Sequence, residues 1–243
     1  MNIHQINSRL VTGIGYLACL ALLLLPGSVL IVRLGSWKLG LQLYATTCLL
    51  GSVVLLSLMV LAVIPRYKPV RQAIAKRALL VLPCALLLGM IVAGPDYPPI
   101  HDISTNTTNP PQFIKATSLR GATSNSLDIK PETITQQQES YPQLGTLHLA
   151  IAPAVAYETA LDIASELGWE VHHRDQAAGI IEAVATTTIM GFKDDIVVRL
   201  RPERDGTVVD LRSVSRVGQS DLGANARRIG QFLDLFSLRD ADG

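Results

Sequence analysis

Cysteine is scarce in this chain: of 243 residues only Cys19, Cys48 and Cys84 carry a thiol, and all three fall inside apolar stretches. A thiol in such surroundings behaves as a small, inert hydrophobe. The rest of the chain therefore has no disulfide, no thiolate nucleophile and no cysteine metal site, and must be held by its own core. Charge is missing as well, from three particular places: no Asp, Glu, Lys or Arg lies within 13–32, 41–64 or 78–94. A helix needs about twenty apolar residues to cross a hydrocarbon layer, with a usable range of about 17 to 25, so these runs read as three transmembrane helices. With no Asp, Glu, Lys, Arg or His inside them, transport of a proton or ion by this chain alone is not expected. Catalytic signatures are missing too. There is no Ser/His/Asp elbow, phosphate-cradling glycine loop or dinucleotide fingerprint, so the reading is non-enzymatic, without cofactor, metal or nucleic-acid partner.

The net charge of +1 averages over unlike parts. Arg66, Lys68, Arg71, Lys76 and Arg77 stand between the second and third runs with no acid among them. By the positive-inside rule that loop is cytoplasmic, and the amino terminus with it. Everything after Gly94 is then external, with only Arg33 and Lys38 opposing in the 33–40 loop. Arg9 before an apolar run resembles a secretory signal, but the run passes through Pro26 and Gly27 without a small-x-small cleavage site and reads as an uncleaved helix. These observations predict a multi-pass membrane protein with the lipid bilayer as partner. The setting expected for it is the inner membrane of a Gram-negative envelope, with another envelope protein as a further partner.

After this 1–94 region, residues 95–143 are rich in Pro, Thr, Asn and Gln and read as an extended tether, with local order where Ile100, Ile103, Phe113 and Ile114 dock. A packed domain follows over 144–240. Alternation predicts strands at 146–151, 169–174, 179–189, 196–201 and 207–215, with Asp205-Gly206 as a hairpin signal. Pro153 opens a helix ended by Gly168, and a last helix spans about 221–238. The order β-α-β-β-β-β-α with short loops predicts an α+β, two-layer domain: an antiparallel sheet and two helices. Parity turns Leu147, Leu149, Trp169, Val171, Ile181, Ala183, Ala185, Ile196, Val198, Leu200, Val209 and Leu211 toward the helices.

The opposite sheet face carries Glu182, Arg199, Asp210 and Arg212, either a solvated cross-strand ladder or an interaction face for a charged partner. Asp194 and Asp195 diverge as strand neighbours and read as a solvated turn rather than an acid and base pair. His172 and His173 diverge likewise and make a poor metal site. The start of the last helix offers free amides with arginines nearby. Arg216, Ser220, Asp221, Asn225 and Arg228 form a candidate small-ligand or hydrolytic site, against the alternative that Ser220 or Asp221 simply caps the helix.

The order of Gly168-Trp169-Glu170, Ile181-Glu182-Ala183, Gly191-Phe192-Lys193-Asp194-Asp195, Ser215 to Gly223 and Asn225 to Ile229 resembles the domain-of-unknown-function 1499 family of bacteria and plastids. Pro98 to Ile103 looks like the lead-in of its membrane-anchored members. The resemblance covers about 98–238 and implies a fold and a compartment, not a reaction. The Cys-rich opening of some members is not found, so no redox role carries over.

Overall fold

The computed structural model describes residues 3–241, with side chains placed from 9 to 239. The chain divides into two compact units, the first built on the residues up to Pro95 together with Ile189–Gly191. The first holds α1 (Ile3–Arg33), α2 (Trp37–Val63), a 3-10 turn (Pro65–Val70) and α3 (Arg71–Val92). Three segments, Arg9–Arg33, Trp37–Val63 and Pro65–Val92, are long and apolar enough to cross a membrane, with mean hydropathies of 2.3, 2.4 and 2.0. The third helix begins before its apolar run, so Arg71, Lys76 and Arg77 are helical rather than loop residues. Small residues set the packing. A Cβ at Gly51 would fall 2.6 Å from the Cys84 sulfur, so glycine lets α2 and α3 approach closely. Thr46, Ser52 and Ser57 return their hydroxyls to carbonyls four residues back, satisfying themselves within an apolar helix.

The second unit is an antiparallel six-stranded sheet, ordered β1-β6-β5-β4-β3, with β2 also on β6. Its strands are β1 (Asp102–Ser104), β2 (Leu147–Leu149), β3 (Glu170–Asp175), β4 (Ile180–Thr186), β5 (Lys193–Glu203) and β6 (Gly206–Ser215). Strands β1 and β2 share one edge of β6, pairing with 212–214 and 207–209. Two helices, α6 (Pro153–Glu166) and α7 (Ala224–Ala241), cover one face. The fold is α+β, and the expected order over 144–240 is the observed one. All twelve side chains assigned by parity to the helix side lie in or against the core. Trp169 stacks on Phe232 at 5.3 Å, and Phe232 meets Phe236.

Two local departures matter for the polar face. Between Val171↔Ala183 and His173↔Glu182 strand β3 carries one extra residue, a bulge at His172. Beyond it parity shifts, so His173 shares the face of Glu182 and the two histidines no longer diverge as regular alternation requires. The second departure is larger. Residues 95–143, expected as an extended tether, form β1, α4 (Ala116–Leu119) and α5 (Pro131–Ser140), folded into the domain. Ile100, Ile103 and Ala116 are buried, whereas Ile114 is exposed. The order comes from hydrogen bonding as well as apolar area. Gln137 accepts from the Ser104 amide and donates to the Ser104 carbonyl, pairing the open edge of β1 as another strand would.

Candidate functional site

On the sheet face away from α6 and α7, residues 105–130 form a strap held by charged side chains. Glu182 accepts from the amides of Ile114, Lys115 and Ala116, closing the amino end of α4. Arg212 grips Asp102 through Nε at 3.0 Å and Nη2 at 2.7 Å, donates to the carbonyls of Leu127 and Pro111, and lies 5.3 Å from the Phe113 ring. Asp210 accepts from Thr146, Arg199 and Arg201. Burial pushes the Asp210 carboxyl up, but the Thr146 hydroxyl and the two arginines outweigh it, leaving its pKa below the ordinary value. Asp195 takes Arg216 through two nitrogens and Arg120 through a third. Burial lowers the Arg120 pKa, with Asp195 opposing it.

The expected open face is therefore roofed. Glu182, Asp210 and Arg212 are each 0 % exposed, and of the expected ladder only the Arg199–Asp210 pair forms. Glu182 serves backbone amides and Arg212 serves Asp102, because the strap supplies partners that a bare sheet lacks. Asp194 and Asp195 are likewise buried on β5 rather than in a solvated turn. They do diverge: Asp194 meets Arg228 of α7, and Asp195 meets the strap's Arg120.

Of the expected ligand residues at the start of α7, Asp221, Asn225 and Arg228 meet one another, while Arg216 and Ser220 are engaged elsewhere. Asp221 receives the amides of Gly223 and Asn225, both at 2.8 Å, and caps the helix. Burial raises its pKa against the pull of those two bonds. Asn225, fully buried, joins Ser213, Ser215 and the His101 carbonyl. Arg228 binds Asp194, Arg216 binds Asp195, and Ser220 links the Pro98 carbonyl to the Leu222 amide. These amides and guanidinium groups are engaged internally, not aimed at solvent. Among the described residues no cluster of three His, Cys, Asp or Glu is arranged to hold a metal.

A solvent-open groove of about 600 Å³ runs along a different side of the same helix. Its floor is Gly223, Ala226 and Gly230, and its walls include Tyr97, Tyr141 and Leu144. Gly223 sits at φ +73°, and a Cβ there would lie 2.6 Å from the Tyr97 ring, so only glycine allows that seat. Gly230 has neither constraint: a Cβ would meet nothing, yet mid-helix glycine costs about 1 kcal/mol against alanine. The floor is open at the expense of helix stability. At one end Arg227 lies 5.8 Å from the Tyr97 ring centre and donates to Tyr97 and the Leu222 carbonyl. At the other end stands Asp234, with Gln231 between them and Gln143 also lining the groove. The Tyr141 hydroxyl is occluded and has no hydrogen-bond partner. Burial raises its pKa, so it stays a protonated donor at neutral pH. Sequence reasoning counted Arg227 only among the arginines near the helix start, and passed over Asp234. The available signal was helical phase, since 223, 226, 227, 230 and 234 form one stripe beside the apolar one.

A family model described as a protein of unknown function (DUF1499) matches residues 102–236, more than half of the chain and including the strap. A search of curated proteins finds no match.

Proposed function

Because the chain belongs to the DUF1499 family, whose function is unknown, we propose a role from geometry: a membrane-anchored, non-enzymatic module that binds a small polar ligand in the α7 groove. The carrying observation is an open groove with Arg227 at one end and Asp234 at the other, two exposed charges that make no ion pair among the described residues, in a domain whose buried charges are internally matched. Its lining offers no Ser, Cys, His or Lys, and a lone carboxylate does not make an acid and base pair. The reading keeps the last helix as the ligand site but moves it from the capped start to the Arg227 side. We place the module in a bacterial inner membrane with the domain in the periplasm, on the strength of the five cations between the second and third apolar runs.

A groove-filling substitution tests this. Gly230→Trp is expected to fold normally, because nothing occupies that space. Thermal shifts of the full chain in detergent, measured across a panel of soluble anions, zwitterions and sugars, should show ligands that stabilise the wild type and not Gly230→Trp. A panel without a single such ligand overturns the reading.

A further inference from the structure

The charges that flank the groove differ in sign and sit too far apart to neutralise each other. Seven helical residues advance about 10 Å and return to within about 20° of the same face, so Arg227 and Asp234 look into one cavity from two turns apart. Neither makes an ion pair among the described residues. A ligand with both signs complements such a pair, where a simple anion would meet Asp234 and a simple cation Arg227. Guanidinium groups select oxyanions through planar, multiple hydrogen bonds. Ammonium groups are held by a carboxylate and by aromatic faces.

We infer that the α7 groove binds a zwitterionic head group of the phosphoethanolamine kind, with phosphate at Arg227 and ammonium at Asp234. This rests on the binding-module reading and names its ligand class. A membrane lipid is the favoured source. Tyr97, one wall of the groove, follows Val92 at the end of α3 by only five residues, a chain length of at most about 18 Å, in a protein with three helices of spanning length.

The test titrates the full chain in a maltoside detergent with dihexanoyl phosphatidylethanolamine, dihexanoyl phosphatidylglycerol and glycerophosphoethanolamine. Arg227→Gln and Asp234→Asn change exposed side chains, and unliganded melting points confirm that both fold. Phosphatidylethanolamine should bind the wild type at least tenfold more tightly than phosphatidylglycerol, and each substitution should weaken it at least tenfold. Phosphatidylglycerol binding should not weaken in Asp234→Asn and should tighten, because the carboxylate that opposes an anion is gone. Equal affinity for the two lipids, or an Asp234→Asn protein that binds phosphatidylethanolamine like the wild type, overturns the proposal. The deacylated compound separates the sources: weaker binding than the lipid supports a membrane lipid, and equal binding overturns the lipid source in favour of a free phosphate ester. If other ligands bind and are blocked by Gly230→Trp while these three do not bind, this inference falls and the binding-module reading stands.

Discussion

Arg212 shows how much one side chain organises here. Its guanidinium is fully buried, paired in two places to Asp102, bonded to two carbonyls and set against Phe113. Removing one member of a buried pair leaves an uncompensated charge and typically costs about 3 to 5 kcal/mol. Arg212→Met is therefore expected to lower unfolding stability by that order in chemical denaturation, and far more than Arg204→Met on the exposed β5–β6 turn. Asp210 gives a pH signature. Its folded pKa lies below its unfolded one, so it contributes stability that is present above about pH 4 and lost as pH falls through the folded value. Asp210→Asn should flatten the acid limb of the stability curve while lowering stability at neutral pH, both read from denaturation at a series of pH values.

Elements show where sequence reasoning succeeds and where it stops. The sheet side of each strand was legible because alternation is local, and Leu147 through Leu211 sort correctly without any tertiary knowledge. The strap was not legible, because its partners are remote: Glu182 lies 66 to 68 residues from the amides it holds, and Arg212 lies 110 from Asp102. A segment judged by its own composition looks unable to order itself, and this one is ordered by carboxylates and guanidiniums elsewhere. On α7 what the sequence left unresolved was phase. Arg227 and Arg228 are neighbours, about 100° apart around the helix, and the second faces the sheet while the first faces the groove. Glu182→Gln tests the strap as an element. Hydrogen exchange should quicken at the amides of Ile114, Lys115 and Ala116 while the β4–β5 ladder stays protected.

At the scale of the whole molecule, the core of the second unit is built from residues 100–236 alone. A fragment spanning 96–241 is expected to unfold cooperatively in water without the apolar helices, and a broad, non-cooperative melt would count against that. Orientation has its own measurement. Fused to the carboxyl end of the domain, a reporter active only in the periplasm should be functional and one active only in the cytoplasm should not, as the five cations between the second and third apolar runs imply.

Strand β1 pairs with 212–214 of the last strand, so the first piece of the domain to leave the ribosome has to wait for almost the final one. Until that late strand arrives, Asp102 and the strap have no Arg212 to receive them, and the nascent chain carries an unclosed edge through synthesis and any export. Pairings this distant in sequence are slow to form. Delay, rather than weak native contacts, then leaves this chain open to proteases and to misassociation in that interval.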